Sequence, residues 1–231
     1  MNLRIAEIFT SIQGEGLLIG VPSTFIRVSG CNLRCDWCDT KYASWHPEGP
    51  VMSLEDILDQ VSDRPEHFVL TGGEPMLFDA IEPLCQALKA RGKHITIETA
   101  GTVWRDVPCD LMSISPKLAN SAPKGLSDEW LHRHETTRQD LAPLKQLVAN
   151  YDHQLKFVVS KNSVESDTEE IRCLLHKLEP RKPGPVLLMP ESTTEEGHRE
   201  GLKRLSPICL SNGWRLSPRL HIELFGNTRG T

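Results

Sequence analysis

The strongest constraint on the fold is a repeated exchange between two hydrophobic periods. Short β-branched, apolar runs alternate with longer stretches whose apolar residues recur at helical spacing. After a strand-like segment from Leu3 to Phe9 and the turn Gln13-Gly14-Glu15-Gly16, Ser23 to Ser29 reads as a buried strand. Leu54 to Val61 reads as a helix with Ser53 as its N-cap, and His67 to Thr71 as the next strand. Asp79 to Arg91 is a helix closed by Gly92, followed by the strands His94 to Thr99 and Leu111 to Ser115. Pro116 to Arg138 turns polar and is expected to be a surface excursion. Leu141 to Ala149 is helical, Gln154 to Val159 a strand, and Val164 to Leu178 a helix. Pro180 to Pro185 breaks the chain before the strand Val186 to Met189, and a last helix runs from about Thr194 to Asn212.

Alternation of this kind implies parallel strands joined by right-handed crossovers. A complete eight-fold barrel typically needs about 250 residues. This chain has 231. An α/β fold with an incomplete (β/α)6-type barrel is therefore expected, as one domain over residues 1–231, with a loop after the first core strand available for chemistry.

Hydrophobic residues at 39% and charged ones at 25% suit a globular chain. The net charge is −5, and the basic residues are scattered, so no footprint for nucleic acid is seen. No stretch approaches the roughly 20 apolar residues that cross a bilayer, and the first twelve lack a signal peptide's apolar run. A cytoplasmic location with no membrane contact is expected. Seven cysteines, three of them within eight residues, suit metal chemistry in a reducing compartment better than a disulfide framework.

Those three are Cys31, Cys35 and Cys38, in the run Gly30 to Thr40, just after the first core strand. Three thiolates can hold three irons of a cubane and leave the fourth open to a small chelating ligand. A structural zinc site is the main alternative and needs a fourth ligand, for which His46 is nearest. Cys85, Cys109, Cys173 and Cys209 show no such spacing and read as small apolar residues. In a parallel sheet the chemistry lies at the carboxyl ends of the strands. Thr71-Gly72-Gly73-Glu74-Pro75, Glu98-Thr99-Ala100-Gly101 and Ser115-Pro116-Lys117 all fall there. Taken alone, the glycine pair marks a tight turn as readily as a ligand site, and Lys117 reads as a surface lysine.

The spacing Cys-x3-Cys-x2-Cys, with Trp37 before the last cysteine, resembles the radical S-adenosylmethionine (SAM) superfamily. That resemblance implies a 4Fe-4S cluster on Cys31, Cys35 and Cys38, which passes one electron to the sulfonium of SAM and yields a 5'-deoxyadenosyl radical. It further implies that Gly73, and more loosely Glu74, meet the methionine amino group. Ser115, Pro116 and Lys117 would lie at the ribose and carboxylate, and Glu98 at ribose hydroxyls. Trp37, Cys38 and Asp39 would lie along the adenine, with Met189 and Pro190 offering an apolar face.

Ile12-Gln13-Gly14-Glu15-Gly16, Phe25 to Cys31, Cys38-Asp39-Thr40 and the Thr71 to Pro75 segment together resemble the 7-carboxy-7-deazaguanine synthase family over nearly the whole chain. The resemblance implies conversion of 6-carboxy-5,6,7,8-tetrahydropterin to 7-carboxy-7-deazaguanine with release of ammonia, in a pathway leading to queuosine of tRNA. Ile12, Gln13, Gly14 and Thr71 would meet the pterin, and Arg27 its carboxylate, although an arginine there, taken alone, reads more readily as a strand-end salt bridge. Thr40 would ligate Mg2+. In some family members the terminal carboxylate reaches the substrate, a role that would fall to Thr231 in an otherwise polar tail expected to fray. A homodimer and an electron-donor protein such as a flavodoxin are the implied partners. A glycyl-radical activating enzyme, acting on a protein, carries the same cysteine spacing and is the alternative.

Overall fold

The computed structural model describes residues 1–61, 65–178 and 184–231. Its centre is one nine-stranded sheet. The chain begins with β1 (Asn2–Ile12), β2 (Pro22–Val28), the short α1 (Lys41–Ser44), β3 (Val51–Ser53) and α2 (Leu54–Gln60). It continues through β4 (His67–Gly72), α3 (Ile81–Ala90), β5 (His94–Thr99), β6 (Leu111–Ile114), α4 (Asp128–Gln139) and α5 (Ala142–Asn150). The last part holds β7 (His153–Val159), α6 (Val164–Leu178), β8 (Val186–Pro190), α7 (Glu195–Asn212), β9 (Arg215–Leu216) and α8 (Leu220–Phe225). The strand order is β3-β1-β2-β4-β5-β6-β7-β8-β9, and every pair from β2 to β9 is parallel. The six expected parallel strands are all present in an open curved sheet.

Strand periodicity decides what each face does. On β7, Leu155, Phe157 and Val159 join the core beneath the helices, while Lys156 and Val158 point to the opposite, concave side. The same alternation sets Phe68 and Leu70 against Thr71, Ile97 against Glu98, and Met112 and Ile114 against Ser113. Each large apolar side chain buried on the helix side contributes roughly 1.5–3 kcal/mol. The concave face is thereby left to polar residues.

Several expectations need correction. β1 is longer than its strand-like signal and pairs antiparallel with both β2 and β3, so the sheet is not wholly parallel. β3 and β9, at three and two residues, are too short to show a period. Pro116 to Arg138 is no mere surface excursion: it contains most of α4, whose Ser127 cap accepts from the Trp130 amide and whose His134 is fully buried. A mostly polar helix has almost no apolar stripe, which is why the segment reads as a loop.

The Ser53 cap is present with its reciprocal Asp56 contact. α3 starts at Ile81, and Gly92 follows its C-cap Arg91 with φ +72°. Of the expected break at Pro180 to Pro185, residues 180–183 lie outside the described residues. The tail does not simply fray. α8 buries Ile222, and Arg229 reaches Glu48 at 3.2 Å, the Ala6 carbonyl at 3.2 Å and Glu7 at 3.5 Å.

Candidate active site

The concave face opens into a cavity of about 770 Å³ at the carboxyl ends of the parallel strands. Cys31, Cys35 and Cys38 enter it from the loop after β2. Cys31 Sγ accepts from the Leu33 amide at 3.4 Å, and Cys38 Sγ lies 3.1 Å from Ser44 Oγ. Burial pushes the Cys31 and Cys35 thiols up to about 12, so both stay protonated until a metal displaces the proton. Among the described residues no three His, Cys, Asp or Glu side chains are grouped as ligands of a single ion. His46, the nearest candidate to close a zinc site, is exposed and stands off the cavity. Three thiols on one wall, with open space before them, fit a cluster that leaves one iron free. Of the remaining cysteines, Cys85 and Cys209 are core residues, whereas Cys109 is half-buried and Cys173 exposed.

The loop after β4 is locked to this wall. Gly72 has φ +129°, and the Gly73 amide donates to the Val28 carbonyl at 3.1 Å. The Gly30 carbonyl accepts from the Glu74 amide at 2.9 Å. A side chain at Gly73 would put its Cβ 2.0 Å from the Gly30 oxygen. Glycine is needed there for close backbone approach. Gly73 faces the cavity, but Glu74 does not. Glu74 is fully buried and accepts from Thr99 Oγ1 at 2.7 Å, the Ala100 amide at 2.8 Å and the Met76 amide at 3.1 Å. A carboxylate so occupied ties the ends of β4 and β5 together rather than offering itself to a ligand.

Ser115 and Lys117 line the cavity, with Lys117 Nζ 2.8 Å from both Ser115 oxygens and 5.5 Å from the Trp37 ring centre. Pro116 is buried behind them. Trp37, Asp39, Thr40, Met189 and Pro190 line the cavity as well.

Ile12, Gln13, Gly14, Arg27, Thr71 and Thr231 line the same cavity. Arg27 Nε donates to Glu7 Oε1 at 2.6 Å, so the salt-bridge reading and a place on the cavity wall are both realised. Glu98 sits with this group: it accepts from Thr71 Oγ1 at 2.8 Å and from Gln13 Nε2 at 3.5 Å.

Sequence reasoning missed the charged chain that lines the cavity. Lys156 pairs with Glu15 and stands 3.8 Å from Glu98, and Arg219 pairs with both Glu15, at 3.0 Å, and Asp39. Burial alone would raise Glu15, but Lys156, Arg219 and His221 outweigh it and hold the carboxyl well below the usual range. This chain joins the Gln13 turn to the cysteine loop through the C-terminal segment. The signal in the sequence was Lys156, set between the apolar Leu155 and Phe157 in the interior of a strand.

Residues 25–154 match the radical SAM superfamily. The chain is 42% identical to the 7-carboxy-7-deazaguanine synthase of Halobacterium salinarum, over 99% of this chain and 93% of that protein. It is also 42% identical to the 7-carboxy-7-deazaguanine synthase of Rhodopirellula baltica, over 100% and 89% respectively. Among solved structures, QueE from Escherichia coli superposes with a TM-score of 0.67 at 28% identity, covering 96% of this chain and 95% of that one.

Proposed function

As a member of the 7-carboxy-7-deazaguanine synthase family within the radical SAM superfamily, the chain carries a site for which we propose conversion of 6-carboxy-5,6,7,8-tetrahydropterin to 7-carboxy-7-deazaguanine with release of ammonia. The observation that carries this reading is the convergence in one cavity of three thiols, the Gly73 turn, the Gln13 turn, Arg27 and Thr71.

Cys31, Cys35 and Cys38 would hold the 4Fe-4S cluster, which supplies the electron that splits a carbon-sulfur bond of SAM. Gly73 presents its backbone toward the methionyl amino group, with Glu74 fixing the turn from behind. Ser115 and Lys117 serve the ribose and carboxylate, with Pro116 setting their backbone, and Trp37, Cys38, Asp39, Met189 and Pro190 flank the adenine. Arg27 keeps its terminal nitrogens for the substrate carboxylate because Nε is held by Glu7. Ile12, Gln13, Gly14 and Thr71 hold the pterin edge. Glu98, tied to Gln13 and Thr71, would accept from the ribose hydroxyls of SAM. Thr40, which lines the cavity, would ligate Mg2+ together with substrate oxygen. The tail through Thr231 forms the outer wall. The protein's task is to hold C6 of the pterin next to the reacting carbon and to keep other hydrogen donors out.

An electron donor such as a flavodoxin, a homodimeric assembly and a cytoplasmic location belong to this reading. No helix among the described residues is long and apolar enough to cross a membrane. Anaerobic incubation of the reduced, cluster-loaded protein with SAM and the carboxypterin tests the reading. The deazaguanine product is expected, and its absence would overturn the assignment.

A further inference from the structure

We propose that residues 118–134, the turn after β6 with the first half of α4, form a brace that shapes the cysteine loop before any metal arrives, and that His134 is its central positioning residue. The proposal rests on the cluster reading only in naming what the loop receives.

The observations converge on the residues between the cysteines. The Arg34 amide donates to His134 Nδ1 at 3.2 Å, and the Asp36 amide donates to the Ser121 carbonyl at 3.1 Å. Trp37 Nε1 donates to Asn120 Oδ1 at 3.1 Å. The Arg34 guanidinium lies 4.3 Å from the centre of the Trp130 ring. Residues on both sides of Cys35 are thus held by a segment about 100 positions away. That segment is itself anchored, because Asn120 Nδ2 donates to the Val158 carbonyl at 3.0 Å and to Asp167 Oδ2 at 2.7 Å.

His134 is fully buried, and its partners define its tautomer. Nδ1 must be bare to accept from Arg34. The proton then sits on Nε2 and goes to Ser121 Oγ at 3.0 Å, whose own proton goes to the Leu118 carbonyl at 2.6 Å. Every donor in the relay has one acceptor. The imidazole does not line the cavity, and its bond to the Arg34 amide fixes the backbone between two ligand positions. Cys35, the middle ligand, is only 8% exposed, so a reagent reaches it mainly when the loop opens.

Two substitutions separate the two ring nitrogens. In His134→Asn the side-chain amide takes about the place of Nδ1 and keeps an acceptor for the Arg34 amide. In His134→Gln it takes about the place of Nε2 and loses it. Alkylation of Cys35 by iodoacetamide in metal-free protein, read by mass spectrometry, is expected to speed up about tenfold in His134→Gln and to stay near wild type in His134→Asn. Iron loss to a chelator from the reconstituted protein should follow the same order. Equal rates in the two variants, or an unchanged rate in His134→Gln, would overturn the brace. Should His134→Gln not fold, Trp130→Leu, which removes the ring beneath Arg34, carries the test: faster Cys35 alkylation supports the brace and an unchanged rate overturns it. Wild-type protein that takes up no iron would overturn the cluster reading instead, while the metal-free thiol rates still decide the brace.

Discussion

Arg27 Nε donates to Glu7 Oε1 at 2.6 Å, and the same oxygen accepts from Tyr42 OH at 2.5 Å. One carboxylate therefore orients the guanidinium that faces the cavity and ties it to the helix following the cysteine loop. Glu7→Gln is expected to raise KM for the carboxypterin several-fold with a smaller change in kcat, because the fork is left charged but less well aimed. Arg27→Ala should abolish most substrate use and keep SAM cleavage measurable without substrate. Steady-state kinetics beside a 5'-deoxyadenosine assay separate these outcomes, and equal loss of both activities in Arg27→Ala would instead make it a support of the cluster.

Gly73→Ala places a methyl group 2.0 Å from the Gly30 carbonyl oxygen, one residue before the first cysteine. Backbone atoms on both sides cannot yield locally, so the cysteine loop must shift. Reconstituted Gly73→Ala is expected to bind markedly less iron than wild type. Full iron content with normal SAM affinity would show that the turn tolerates the side chain.

Removing Lys156 leaves the largely buried Glu15 carboxylate with Arg219 and the nearby His221, and deprives Glu98 of a nearby cation. Breaking a buried pair in this way costs about 3–5 kcal/mol. Urea unfolding of Lys156→Met should approach that loss. The double variant Lys156→Met/Glu15→Leu should recover part of the stability and none of the activity. A single variant as stable as wild type would contradict this account.

His67 lies between Ser23 Oγ at 2.7 Å and Thr96 Oγ1 at 2.8 Å, and burial, with His94 nearby, pushes it down to about 4. The unfolded ring titrates at about 6.5. Between those values the unfolded chain binds the extra proton, so this contribution is complete above pH 6.5 and is lost as pH falls toward 4. Urea midpoints measured from pH 7.5 to 4.5 should fall less steeply for His67→Gln than for wild type. Identical slopes would place the acid sensitivity elsewhere.

Arg229 sits 3.9 Å from the Tyr42 ring centre and close to Glu48 and Glu7, on a tail whose last residues line the cavity. The arginine is half-exposed, so its ion pairs stabilise the fold by no more than about 1 kcal/mol. Arg229→Ala should therefore leave the melting temperature and iron content near wild type while weakening substrate use. A loss of iron would show that the tail supports the cluster side instead.

The alternation of strands and helices, the cysteine spacing and the glycine turns were legible in the sequence because each is expressed within a few neighbouring residues. Period two on β7 separates core from cavity, and the spacing of Cys31, Cys35 and Cys38 brings three thiols into one loop, whatever the rest of the chain does. α4 was not legible, since its docking rests on the single buried His134 and not on an apolar stripe. Glu74 shows the opposite limit: its motif was plain, yet the orientation of its carboxylate was decided by Thr99 at the end of β5 and Ala100 just after it.

Which residues meet across the cavity was decided by tertiary structure alone. Glu15 finds Lys156 at a separation of 141 positions and Arg219 at 204, and Arg219 finds Asp39 at 180. Such pairings depend on strand register and on where the C-terminal segment docks, so no local pattern encodes them. Charge burial makes them matter, because a side chain removed from water must meet its partner wherever the fold delivers it.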